Sequence, residues 1–327
     1  MKYLSVLEEN MNSNKTAFLF PGQGAQTIGM AKELCENIPE CKMILDCSEE
    51  ILNMPIKKMM FEGPEELITA TENAQPIILV ASLIALKALE INDIKADYVA
   101  GLSLGEYAAL IYGGALSLEE GLLLVKERGR IMGSALPEGL GKMAAILKLN
   151  DEKLKELLAR ASEFGIIEGA NFNCPGQIVV SGENEAIDES VKIAKELGGL
   201  GIPLKVSGPF HSSLLEPASE EFFNTIKTVN IKELNKTVYS NVKGLPYEPE
   251  DDIRDLLKKH IRTSVLFEKT INHMIDSGVD TFIEVGPGKA LRGFVKKINK
   301  SANLLNVEDM DSLKNTIDTI NNWQLTI

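Results

Sequence analysis

Asp97-Tyr98-Val99-Ala100-Gly101-Leu102-Ser103-Leu104-Gly105-Glu106-Tyr107-Ala108-Ala109-Leu110 is the stretch on which the fold turns. Asp97–Gly101 reads as a strand and the run from about Leu104 to Tyr112 as a helix. Between them Gly101-Leu102-Ser103-Leu104-Gly105 matches G-x-S-x-G in the strand–turn–helix setting that a nucleophile elbow needs. A serine on so tight a turn requires small neighbours two residues to either side. The turn lifts Oγ to the C-terminal edge of a sheet and aims the next backbone N–H, that of Leu104, at a developing oxyanion.

Outward from this turn, Thr16–Phe20 reads as a strand closed by Pro21-Gly22-Gln23-Gly24. Pro76 reads as the first residue of a helix running to Glu90. Ser117 and Glu120 are spaced as a capping box for a helix over Leu118–Met132. This alternation predicts an α/β fold with a mostly parallel sheet. The middle of the chain follows another order: strand Met143–Leu149, helix Asp151–Phe164, strands Ile166–Asn171 and Gln177–Ser181, helix Glu185–Leu197, strand Ile202–Val206. That βαββαβ order is the split βαβ, or ferredoxin-like, pattern. Gly139 and Gly141 precede it and Ser207-Gly208-Pro209 follows it, which predicts a small domain over 139–207 inserted into a large one made of 1–138 and 208–327. Helices near Ser212–Lys227, Asp251–Arg262 and Phe267–Asp276, a strand Thr281–Val285 and a helix from Lys289 complete the reading.

The bulk numbers narrow the function. Of 327 residues, 44% are hydrophobic and 25% charged, an ordinary globular mixture, and the formal net charge is -13. Such a chain repels nucleic acid and anionic membrane unless a basic patch overrides the total, and no run is long enough to do so for DNA. Cys35, Cys41 and Cys47 recur every six residues, which does not align them on one helix face, so free thiols in a reducing compartment are expected rather than disulfides or zinc. Glu8 and Glu9 stand where a signal peptide would be apolar, and the apolar stretch Ile77–Leu86 is too short for a bilayer, which predicts a cytoplasmic protein without a membrane span. Residues 1–14 read as a leader, or as the result of a start assigned upstream of Met11.

A free hydroxyl is a weak nucleophile, so Ser103 needs a base. Three histidines are available. His260 follows Lys258-Lys259 and reads as solvated; His273 reads as a packing or surface residue. His211 stands in Gly208-Pro209-Phe210-His211-Ser212-Ser213, a turn before a helix, where catalytic groups are commonly held. Several acids lie between Ser103 and His211, none in a distinctive setting, and a backbone carbonyl could orient the imidazole instead. Arg128, near the end of its helix, is either a cation favoured by the dipole or a bidentate clamp for a carboxylate. Gly22-Gln23-Gly24 lacks the third glycine of a dinucleotide fingerprint, and Gly288-Lys289 lacks the rest of a P-loop. Neither a metal nor a bound cofactor is implied.

The ordered set Phe20-Pro21-Gly22-Gln23-Gly24-Ala25-Gln26, Gly101-Leu102-Ser103-Leu104-Gly105-Glu106, Arg128-Gly129, Gly141-Lys142-Met143-Ala144-Ala145-Ile146, Asn173-Cys174-Pro175-Gly176-Gln177, Pro209-Phe210-His211-Ser212 and Glu284-Val285-Gly286-Pro287-Gly288 resembles the malonyl-CoA:acyl carrier protein transacylases of fatty acid synthesis. The resemblance spans about Thr16 to Lys300. It implies a large α/β-hydrolase-like domain with a ferredoxin-like insertion, and malonyl transfer from CoA to an acyl carrier protein by a ping-pong route. It implies Ser103 as nucleophile, His211 as base, the N–H groups of Gln23 and Leu104 as oxyanion hole and Arg128 as the grip on the malonyl carboxylate. In the family a backbone carbonyl orients the histidine, and Ser264-Val265-Leu266-Phe267 is the corresponding segment, with Leu266 the expected partner. Leu102 departs from the histidine many members carry before the nucleophile. Phe210 resembles the residue of malonyl-selective members, whose ring would crowd a methyl branch. The carrier is expected to be acidic, so Arg292, Lys296 and Lys297, with Lys300, are either its docking surface or a solvated helix face. A monomer is expected.

Overall fold

The computed structural model describes residues 15–135 and 140–324; the leader 1–14 and the domain boundary at Gly139 lie outside the described residues. Among the described residues there are ten strands: β1 Lys15–Phe20, β2 Tyr98–Gly101, β3 Lys142–Leu147, β4 Ile167–Cys174, β5 Gln177–Gly182, β6 Leu200–Pro203, β7 Thr237–Ser240, β8 Leu245–Pro246, β9 Val279–Val285 and β10 Asn303–Val307. They form two sheets. The larger has the order β10-β9-β1-β2-β7-β8. Its first five strands pair in parallel and β8 pairs antiparallel with β7. The mixed α/β architecture read from the alternation is therefore present.

The second sheet lies within Lys142–Pro203 and has the order β4-β5-β3-β6, each pair antiparallel. Helices Asp151–Ala161 and Asn184–Glu196 connect β3 to β4 and β5 to β6. The last strand of this unit comes earlier than its apolar pattern suggests. Leu200–Pro203 pairs with β3, while Leu204 and Val206 turn into the cavity described below.

Helix Thr71–Glu90 starts five residues before the proline predicted to open it, and Pro76 lies inside it. Tertiary bonds hold the extra turn. The Thr71 hydroxyl accepts from Gln23 Nε2 at 3.0 Å and pairs with Ser207 Oγ at 2.8 Å, and Gln75 Oε1 accepts from Arg128 at 2.7 Å. This helix is long and apolar enough to cross a membrane, longer than the stretch read from sequence, but 83% of its most apolar window is buried inside the protein. Ser117 and Glu120 make both bonds of a capping box on helix Leu118–Gly133.

Parallel pairing sets the site. Phe20 pairs with Gly101, and Leu102 N–H donates to Phe20 O at 3.0 Å, so the loop after β1 lies beside the turn after β2. β7 pairs with β2 on the other side and delivers Asn241 to the same edge. Ligands in open parallel sheets collect at these carboxyl ends. Strand β4 of the second sheet is joined to the segment between helices Ile253–His260 and Phe267–Asp276, where Val265 N–H donates to Ala170 O at 2.8 Å and Phe172 N–H to Val265 O at 2.9 Å.

Candidate active site

Ser103 sits at φ 53°, the left-handed region that non-glycine residues enter at a cost of about 1–3 kcal/mol and that clusters at functional sites. The turn closes with Gly105 N–H donating to Leu102 O and Glu106 N–H to Ser103 O, before helix Gly105–Tyr112. A Cβ on Gly101 would stand 1.9 Å from the Gly105 carbonyl carbon, and one on Gly105 would stand 2.1 Å from Phe20 O. The two glycines of the motif are thus required by contact with neighbouring backbone. Leu104, at the start of the helix, has one of the amide groups that helices leave without an internal partner.

Asn241 holds this turn from behind. Its Oδ1 accepts from Ser103 N–H at 2.7 Å and its Nδ2 donates to Gly101 O at 2.7 Å. Nothing in the sequence singled it out, because its position follows from the β2–β7 pairing. Asn241→Ala leaves the buried Gly101 carbonyl and the half-buried Ser103 N–H unpaired, each costing up to about 1–3 kcal/mol. The unfolding free energy in urea is expected to fall by about 2–5 kcal/mol; wild-type stability would remove the clamp from the account.

Ser103 Oγ lies 2.7 Å from His211 Nε2. His211 also takes a positive φ, 59°, and is buried. Its Nδ1 is 2.8 Å from His260 O. A carbonyl only accepts, so Nδ1 carries the proton and Nε2 is left to accept from the serine. The orienting carbonyl thus belongs to His260 and not to Leu266. Leu266 O accepts instead from Thr270 N–H at the start of helix Phe267–Asp276, and its N–H donates to Asn241 O. Ser264 Oγ and Val265 hold the edge of β4.

His260 is not solvated. It is 1% exposed and stacks on His211 with ring centroids 5.2 Å apart. Leu257 and Ile261 are buried with it, three residues before and one after, so the face was readable from spacing; the preceding lysines hid it. His273 packs edge-on against Tyr239 and meets its hydroxyl at 2.9 Å. Burial, with Arg128 nearby, pushes the His211 imidazolium down to about 3, and burial holds His260 well below the usual histidine range.

Arg128 lies inside helix Leu118–Gly133 rather than at its end, and is 1% exposed. Nη1 donates to Gln75 Oε1 at 2.7 Å and Nη2 to Ser103 Oγ at 3.1 Å, while Nε has no hydrogen-bond partner among the described residues. The guanidinium lies 5.5 Å from the centroid of the Tyr107 ring. Burial lowers its pKa, and nearby Tyr107 and Glu106 act against that. A buried cation 3.1 Å from the Ser103 hydroxyl and held by a neutral amide can receive an anion. The helix-dipole reading of Arg128 does not survive this placement.

A cavity of about 460 Å³ joins these groups. Gln23, Ser103, Arg128, Phe210 and His211 line it from the large-sheet side, Met143, Asn171 and Val179 from the other. Leu102 lines it too. Arg292, Lys296 and Lys297 belong to helix Ala290–Ile298. Arg292 spends its guanidinium on Asn306, Lys297 bonds Gln177 Oε1 at 2.8 Å, and Lys296 is exposed. Among the described residues no group of three or more His, Cys, Asp or Glu is placed to hold a metal ion, and all four cysteines are free.

The arrangement is that of a serine acyl-transfer site, and comparison with known proteins agrees. The acyl transferase domain model matches residues 17–316. The curated malonyl CoA-acyl carrier protein transacylase of Bacillus subtilis (strain 168) is 43% identical over 309 residues, covering 94% of this chain and 98% of its own length. The crystal structure of malonyl CoA-acyl carrier protein transacylase from Clostridium perfringens superposes with a TM-score of 0.93 at 46% identity, covering 95% of this chain and 99% of that one. A type II PKS acyl-carrier protein in complex with its malonyl-transacylase gives 0.90 at 30% identity, covering 93% and 99%. The chain belongs to the acyl transferase family, and within it to the malonyl CoA-acyl carrier protein transacylases.

Proposed function

We propose that this protein moves a malonyl group from malonyl-CoA to the phosphopantetheine thiol of an acyl carrier protein, by a ping-pong route through a malonyl ester on Ser103. The observation that carries the reading is Arg128: a buried guanidinium 3.1 Å from Ser103 Oγ, in the cavity that also holds His211. The relatives named above act on the same pair of substrates by their names, and one neighbour was solved with its carrier protein.

In this reading Ser103 Oγ attacks the thioester carbonyl while its proton passes to His211 Nε2. The N–H groups of Gln23 and Leu104 take the oxyanion. CoA leaves as thiol with the proton from His211. The carrier thiol then gives its proton to His211 and attacks the ester, and Ser103 regains a proton. The malonyl carboxylate on Arg128 offsets the positive charge that weakens His211 as a base, so carboxylate binding raises its basicity. The large domain, 1–138 and 208–327, is α/β-hydrolase-like, and the ferredoxin-like insertion, 139–207, closes the cavity. The protein acts as a cytoplasmic monomer supplying extender units for fatty acid synthesis. Lys296 and Lys297 contribute to a basic face for an acidic carrier.

Phe210 is buried against the cavity, where its ring crowds a methyl at C2 of the acyl group. Phe210→Ser is expected to raise methylmalonyl use relative to malonyl by about tenfold, the value of roughly one or two methylene-sized contacts; unchanged selectivity contradicts the steric reading. The function itself is tested by supplying malonyl-CoA with and without a carrier protein that bears phosphopantetheine. Carrier-dependent CoA release with malonyl found on the carrier is the expected result. CoA release that ignores the carrier, with rapid turnover of simple esters, would mark a hydrolase.

A further inference from the structure

Among the described residues no acid is hydrogen-bonded to His211, yet the site holds a buried carboxylate that the mechanism above does not use. Glu106 is 1% exposed and stands three residues after the nucleophile, on the elbow helix. Its Oε1 accepts from the Tyr247 hydroxyl, and its Oε2 accepts from Asn241 N–H at 3.3 Å. The same Oε2 lies 3.1 Å from His260 Nδ1, off the line of a good hydrogen bond. Asn241 grips the Ser103 turn, and His260 grips His211 by its carbonyl and stacks on its ring. The contacts close into a ring: Ser103, Asn241, Glu106, His260, His211, Ser103. A structural account would need only the hydrogen bonds. It would not call for a carboxylate two residues behind the base, buried and facing a second imidazole.

We infer that Glu106 is a positioning residue of the acyl-transfer reaction, acting through Asn241 on the nucleophile and through His260 on the base. The inference rests on the proposed transacylase reading. The proton taken from Ser103 stays on His211 until CoA leaves, and Glu106 receives none. The carboxylate sets the alignment of Ser103 and His211, and its negative charge favours the imidazolium that forms when the serine ionises. The groups facing it are Tyr247, His260 and Asn241, with Arg128 and Tyr107 within electrostatic reach.

The test compares wild type, Glu106→Gln and Tyr247→Phe in single-turnover malonyl loading and steady-state transfer. In Glu106→Gln kcat is expected to fall about ten- to a hundred-fold with KM for malonyl-CoA unchanged. Tyr247→Phe keeps the carboxyl group and the volume but removes a hydrogen bond that opposes the effect of burial, and is expected to show a smaller loss with its acid limb moved to higher pH. The double variant should lose no more than Glu106→Gln alone. Burial raises the Glu106 carboxyl to about 7, whereas His211 sits near 3, so the wild-type kcat/KM should be lost as pH falls through about 7. Glu106→Gln should lack that limb. Should Glu106→Gln fail to fold, Tyr247→Phe carries the decision. Wild-type kcat and pH profile in both variants overturns the inference and leaves the transacylase standing. A wild-type protein that takes no malonyl group overturns both.

Discussion

Ser103→Ala is expected to lower malonyl transfer to the carrier by at least about 10⁴-fold, while malonyl-CoA still binds. Among the described residues, the oxygen removed is the only hydroxyl in the cavity that meets an imidazole Nε2, at 2.7 Å, and an arginine Nη2, at 3.1 Å. No water replaces it in kind, because a ping-pong transfer needs an oxygen that stores the acyl group between two thiols. Binding depends on other groups. Arg128 keeps its bond to Gln75, and the turn keeps its clamp on Asn241. Initial rates of carrier malonylation, beside calorimetric binding of malonyl-CoA, check this. Transfer within about tenfold of wild type would move the chemistry off Ser103.

Arg128→Ala is expected to cut malonyl transfer about 10- to 150-fold more than acetyl transfer, the equivalent of the roughly 1.5–3 kcal/mol that a hydrogen bond to a charged group contributes. Acetyl has no carboxylate to meet the guanidinium, so it loses only the packing of the side chain and the Nη2 bond to Ser103 Oγ, which malonyl loses as well. Removing the cation also lifts the repulsion that lowers His211, which favours the base form's proton affinity for either substrate. The ratio of the two kcat/KM values is therefore the informative number. Equal losses would make Arg128 a structural residue, in spite of its place beside Ser103.

The elbow was legible because its constraints are local. Gly101 and Gly105 are dictated by backbone within a few residues or across one strand pair, and strand, turn and helix follow in order. The βαββαβ order of the second sheet was legible for the same reason, since each element has its own periodicity. His211 could be found by elimination among three histidines. His260 was missed because two lysines precede it, although its spacing from Leu257 puts it on the buried face. The assignment of Leu266 failed because a carbonyl has no sequence signature. Which one meets Nδ1 depends on where helix Ile253–His260 ends, and Leu266 O is already used by Thr270. Asn241, Gln75 and Glu106 reach the site through strand order and helix packing, which no single stretch of residues encodes. The start of helix Thr71–Glu90 was misplaced at Pro76 because tertiary bonds to Thr71 and Gln75 override the proline signal.

The central claim is the malonyl ester on Ser103. It is tested most directly by intact-protein mass spectrometry after brief mixing with malonyl-CoA, with peptide mapping, beside Ser103→Ala. The account predicts a single malonyl adduct on the peptide that carries Ser103, absent from the variant and discharged by adding carrier protein. No adduct, or one carried on another residue, would contradict it.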